Sequence, residues 1–174
     1  MSFIELLAVA TPPVNRAAAE VYEWLDVERQ IGTPLPSDYK AFIDRYGLGK
    51  LGDFIVVFTP SDQNPNVSLS IQIREKLDTL QQLASEWGEK LPYPLYPAPG
   101  GLLPFGATDN GDVLYWLTSG SPDRWTVVVN EARGPDYDHH YCSMTTFLAE
   151  VISGQRRCRI FPRSFPTEAI FRSA

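Results

Sequence analysis

Basic residues are outnumbered in this 174-residue chain, cysteines are scarce, and no long apolar run occurs. Lys and Arg total 15 against 21 Asp and Glu, a formal charge of −6 with a pI near 4.9. A field of that sign repels nucleic acid and anionic membranes, so neither is expected as a partner, whereas a basic protein would be attracted. Cys142 and Cys158 are the two cysteines. That is too few for the disulfide-stapled scaffold of a small secreted domain, and idle thiols in a reducing compartment are expected. The first ten residues form a short apolar stretch with no basic lead and with Glu5 inside it, unlike a secretory leader. Nothing approaches the roughly 18 consecutive apolar residues of a membrane-spanning helix. The expectation is a cytoplasmic protein.

Reagents are missing too. There is no Gly-x-Ser-x-Gly elbow, no phosphate loop and no dinucleotide fingerprint. Gly47-Leu48-Gly49 opens no helix, so it reads as a helix terminator and not a phosphate cradle. Residues 136–142 hold Asp136, Asp138, His139, His140 and Cys142, the right types for metal ligands but without the spacing of a zinc motif. Adjacent His139 and His140 point to opposite sides of any extended segment. A solvated loop is expected here, with no catalytic residue, metal or cofactor. Arg156, Arg157, Arg159 and Arg163 form the one basic concentration, which reads as a solvated tail.

What is present is a dense apolar pattern: 44% hydrophobic and 12% aromatic residues, enough for a substantial core in one domain spanning 1–174. Residues 16–30 read as a helix carrying Val21, Trp24 and Leu25. A second helix, capped by Ser37 with Asp38 in its first turn, presents Tyr39, Phe42, Ile43 and Tyr46 and ends at Gly47. Residues 54–59 form a short continuous apolar run, a buried strand. From about residue 68 to Gly88, Ile73, Leu77, Leu80, Ala84 and Trp87 recur at helical spacing. Four prolines within residues 92–99 exclude regular structure there. Residues 125–130 read as a strand and 134–141 as a polar loop. Ser143 caps a last helix that turns Phe147, Leu148, Val151 and Ile152 inward and ends at Gly154. Residues 155–174 carry no assignment. The four tryptophans read as core residues, one of them exposed enough to anchor an interface. The fold class is α+β: a mainly antiparallel sheet with a central meander and helices packed on it.

The most specific segment is 102–117, where two apolar runs flank Asn110-Gly111, a dipeptide suited to a tight hairpin turn. A two-residue loop pairs Asp109 with Asp112, Gly106 with Tyr115 and Phe105 with Trp116. Phe105, Ala107, Leu114 and Trp116 then share an apolar face, and Tyr115 lies across the bare backbone of Gly106. Asp109 and Asp112 read first as turn residues. Together with Asp123, Glu131, Asp136 and Asp138 in neighbouring turns, they also make a candidate acidic spot along one sheet edge.

Three ordered segments resemble the SUKH superfamily, which includes fungal cell-wall-synthesis regulators and many bacterial immunity proteins. The first is Leu35-Pro36 with Tyr39, Lys40, Phe42, Ile43, Tyr46, Gly47 and Gly49; the second is residues 51–55, leading with Gly52 into a strand. The third is residues 103–116, with Pro104-Phe105-Gly106, Asn110-Gly111-Asp112 and Trp116. The likeness covers about residues 30–155, closing on the helix after Ser143. It implies an α+β fold, no catalysis, and a protein that neutralises a cognate toxin by stoichiometric binding. The six acidic residues above would be its contacts. The alternative is a regulatory module that binds a housekeeping partner. Neither the toxin nor the oligomeric state follows from the likeness.

Overall fold

A computed structural model describes residues 3–13, 21–61, 63–86 and 88–174. Seven strands make one antiparallel sheet: β1 (Gly49–Leu51), β2 (Ile55–Val57), β3 (Leu102–Thr108), β4 (Val113–Leu117), β5 (Thr126–Asn130), β6 (Tyr137–His140) and β7 (Phe171–Ser173). Their order is β6-β5-β4-β3-β2-β1-β7, so the first six neighbour one another in chain order and the last returns to the far edge. Every pairing is antiparallel. This is the expected α+β class, and the 102–130 meander stands at its centre.

Strand β4 explains where the helices go. Leu114 and Trp116 point to one side and Val113 and Tyr115 to the other, and all four are buried. Both faces of the sheet therefore need cover. On the first face lie α3 (Ser37–Tyr46), α5 (Met144–Ile152) and, outside them, α1 (Phe3–Val9), with α2 (Trp24–Ile31) beside α3. Tyr39 sits edge-on to Trp116 at 5.1 Å and donates its hydroxyl to Phe58 O at 2.8 Å. Tyr46 stacks on Phe42 and donates to Ala10 O, fastening α1 to α3. On the second face α4 (Leu69–Glu86) places Leu80 and half-buried Leu83 over Leu102, Val113, Tyr115 and Val128.

Helix α5 is buried on all sides, every residue from Met144 to Ile152 included. The sequence shows four of these inward. The others are buried because α1, which has no counterpart in the sequence-based expectations, packs across the outer side. Ser143 caps α5 as expected, accepting from Thr146 N. At α3 the expectation shifts by one: Pro36 is the N-cap, and Ser37, the first helical residue, donates its N–H to Asp123 Oδ1 at 2.7 Å. The helix expected over 16–30 begins only at Trp24, with residues 14–20 outside those described. Three short strands were not expected: β1 and β7, and β6 inside the stretch read as a polar loop. All lie at or next to a sheet edge, where apolar patterning is weakest.

The central hairpin departs from the expected register by one residue. Gly111 N–H bonds Thr108 O and Thr108 N–H bonds Asp112 O, so the loop is Asp109-Asn110-Gly111 with Gly111 at φ +90°. That is a type I turn followed by a glycine bulge, the three-residue alternative to the tight turn. Ala107 therefore pairs with Val113 and Gly106 with Leu114, not with Tyr115. A further irregularity between Pro104 and Gly106 then sets Pro104 opposite Tyr115 and Leu103 opposite Trp116. Phe105 still shares the first face with Leu114 and Trp116, and Ala107 packs at its margin. Gly106 is required for another reason than a covering tyrosine: a Cβ there would stand 2.6 Å from Val56 O on the neighbouring strand.

Gly106→Ala is expected to destabilise the protein by about 1–3 kcal/mol through that contact, seen as a lower urea midpoint at constant m-value. Asp112→Ala, which strands buried hydrogen-bonding groups, should cost about 1–3 kcal/mol, whereas Asp109→Ala at the exposed tip should cost under about 1 kcal/mol. Equal midpoints for the two aspartate variants would contradict the three-residue loop.

Candidate interaction surface

Antiparallel pairing of Val113 with Asn130 brings the β3–β4 tip and the β5–β6 loop to the same end of the sheet. Asp109, Glu131 and Asp136 are exposed at that end. Asp109 forms an ion pair with Lys50 Nζ at 2.7 Å. Beside it Arg172 bridges Asp53 and Glu168, so charges of alternating sign cross the outer strands.

The other three candidate acids lie elsewhere or inward. Asp112, 3% exposed, accepts from Thr108 Oγ1 at 2.7 Å and from Ala132 N at 3.1 Å. Its carboxylate ties the hairpin tip to the β5–β6 loop and so shapes this end from within. Asp138 is buried under the tail, accepting from Arg159 N at 2.7 Å and Nε at 3.2 Å. Burial raises its pKa, but the Arg159 N–H, His140 and the Arg159 guanidinium outweigh this and hold it below the usual carboxylate range. Asp123 is exposed in a short 3-10 turn (Pro122–Arg124) at the opposite end of the strands. There the Ser37 N–H lowers its pKa. The six residues thus do not form one spot along a sheet edge; three of them share one end.

Between that end and α4 opens a groove of about 520 Å³. Leu80, Leu83, Val113 and Tyr115 form its floor, and Lys76, Glu89, Glu131 and Arg133 contribute to its rim. Burial pushes the Tyr115 phenol well above its ordinary value. Burial, with Glu89 and Tyr93 adding to it, raises Tyr137 to about 12. Both are therefore neutral hydroxyls near neutral pH.

Strand alternation divides β6 into two functional sides. Tyr137 contributes to the second face, and His139 and Tyr141 continue its side in a row with Tyr93 against it: Tyr93 is 5.9 Å from Tyr137 and 6.0 Å from His139. His139 stacks on Tyr141 at 4.0 Å and meets Thr126 Oγ1 through Nε2 at 2.8 Å. Burial lowers the pKa of His139. Tyr141 is 82% exposed, the most exposed aromatic side chain in this row. Asp138 and His140 face the other way, into the first face, where the His140 ring lies 4.7 Å from Phe147. The two histidines do point apart, as adjacent residues on an extended segment must.

This end offers an apolar floor and a rim of both charges, and from Tyr137 the aromatic row runs along β6 to an exposed Tyr141 past the opposite end of the strand; together they have the composition of a protein-binding surface. Tyrosines supply the aromatic anchors in this row, and none of the described tryptophans is exposed. Trp116 and Trp125 are buried and Trp24 is half-buried, while Trp87 lies outside the described residues. The signal for the row was present in the sequence as Tyr137, His139 and Tyr141 at a period of two, masked by the charges between them. No helix among the described residues is long and apolar enough to cross a membrane.

Comparison with known proteins agrees with the ordered motifs. The model of the SMI1-KNR4 cell-wall family (SUKH_6) matches residues 22–148, a span that holds α2 through β6 and the first half of α5. Neither curated proteins nor solved structures gave a match. Because the match takes in most of the sheet and its covering helices, the chain belongs to the SMI1-KNR4 family of the SUKH superfamily.

Proposed function

We propose that this protein is an immunity protein that binds a cognate bacterial toxin and neutralises it in a stoichiometric complex, without catalysis of its own. Family membership supports the reading. The observation that carries it to a surface is the continuity of the groove and exposed acids at the hairpin-tip end with the aromatic row that runs from there along β6 to Tyr141. Asp109, Glu131 and Asp136 are the proposed charged contacts at one end of the strands, with Tyr141, past the other end of β6, as the aromatic anchor of a partner laid along that strand. Asp112 acts behind them as a structural tie. Asp123 lies at the Tyr141 end in the β4–β5 turn, where the Ser37 N–H holds its carboxylate, and Asp138 is covered by Arg159. The net charge of −6 suits a basic toxin, since complementary fields speed encounter. A second reading, a regulatory module binding a housekeeping partner, is favoured by the cell-wall description of the matched family. The same surface would serve it.

Co-expression with its toxin, sought among the gene products encoded beside it, should restore growth, and the two should co-purify at equal stoichiometry. Toxicity that persists with abundant folded protein would refute the immunity reading, and recovery of endogenous proteins alone would favour the regulatory one. Within the complex, Glu131→Lys with Asp136→Lys should slow association about tenfold at low salt with a flatter salt dependence. Tyr141→Ala should act mainly on dissociation, weakening affinity by about tenfold or more.

A further inference from the structure

Strand β6 turns Asp138 and His140 to the same side, and the segment after α5 returns Cys158 beneath them. A carboxylate oxygen, an imidazole nitrogen and the thiol sulfur all lie within 4.8 Å of one another. The three residues are buried, with exposures of 9%, 5% and 3%. His140 Nε2 is fully enclosed and has no hydrogen-bond partner. It stands 3.3 Å from Asp138 Oδ2, close in distance but not aligned as a hydrogen bond. A buried polar atom left in this state is rare in folded proteins and points to a bound water, ligand or ion.

We propose that Asp138, His140 and Cys158 form a binding site for a zinc-type divalent cation. The mixed oxygen, nitrogen and sulfur donors match such an ion and not calcium or magnesium, which take oxygen ligands. Around a tetrahedral centre, nitrogen and oxygen ligands at about 2.0–2.1 Å from the metal stand about 3.3 Å apart, the separation already held by His140 and Asp138. The supporting groups are also in place. Arg159 N–H and Nε orient the two carboxylate oxygens of Asp138, and Phe147 packs against the His140 ring. Arg159 itself is 71% exposed on its side chain, so its charge is largely solvated.

On coordination the Cys158 thiol gives its proton to solvent, and thiolate plus carboxylate balance the two charges of the ion. Cys158 also lines a cavity of about 160 Å³ with Val151, Gly154, Arg156 and Phe161, so the sulfur's residue borders open space although Asp138 and His140 do not. A nucleophilic Cys-His-Asp arrangement fits less well. Burial pushes the thiol up to about 12, and a reactive cysteine needs an accessible thiolate. His139 belongs to the other side of β6 and takes no part. Cys158 lies outside the family match, so the site joins the family's sheet to this chain's own tail.

The test is Co²⁺ titration of the chelator-treated full chain. One equivalent should produce a thiolate-to-cobalt charge-transfer band and the visible absorption of a tetrahedral centre, and Zn²⁺ should abolish both. Cys142→Ser leaves Cys158 as the sole thiol of the chain, and the band should persist unchanged. Cys158→Ala and His140→Gln should each weaken binding about a hundredfold or more. Absence of the band in the unmodified chain, or its loss in Cys142→Ser, would overturn the proposal.

Discussion

Burial of β4 on both of its faces is the constraint from which the architecture follows. A strand that turns Trp116 and Leu114 one way and Tyr115 and Val113 the other tolerates water on neither side. One face receives a helical layer built around α3 and α5, and the other receives, among the described residues, the one helix α4 with Leu91, Tyr93 and Leu95 beside it. The unequal cover matters for function. A single helix leaves the second face open toward the hairpin tip, and that opening is the groove. The binding surface proposed here is thus the place where cover runs out.

Much of this was legible because the signals are local. Tyr39, Phe42, Ile43 and Tyr46 mark α3 by spacing alone, and all are buried. Phe147, Leu148, Val151 and Ile152 mark α5 in the same way. The hairpin is the instructive case. Asn110-Gly111 announces a turn but is compatible with loops of two or three residues. The structure takes the longer, in which the Asp112 carboxylate is enclosed by Thr108 and Ala132. Ala132 is 20 residues away, so no local reading could have placed Asp112 inside.

The same reasoning accounts for the candidate site. Asp109, Glu131 and Asp136 were legible as exposed acids because turns and loops expose them. Asp138 was not legible as buried, because the group that covers it, Arg159, comes from a tail without recognisable pattern. Nor could the pairing of His140 with Cys158 be read from spacing. Residues 134–141 look like a polar loop until β5 is set beside them, for an edge strand needs an apolar residue only where it meets the core. The tail, too, owes its place to distant neighbours: Phe161 and Phe165 pack on Phe54, and Phe171 packs on Tyr46.

Pairing of β7 with β1 joins residues 171–173 to residues 49–51. A ribosome releases the earlier partner long before it makes the later one, so during synthesis β1 stands as a bare sheet edge. An open edge in a half-made chain is a template for pairing with other chains. Lys50, at the middle of β1, puts an exposed charge on that edge, a residue type that discourages intruding strands. Its ion pair with Asp109 comes from the hairpin tip, not from β7, so both partners exist before the last strand arrives. The charge of Lys50 and its anchoring contact are thus in place while the sheet is still incomplete.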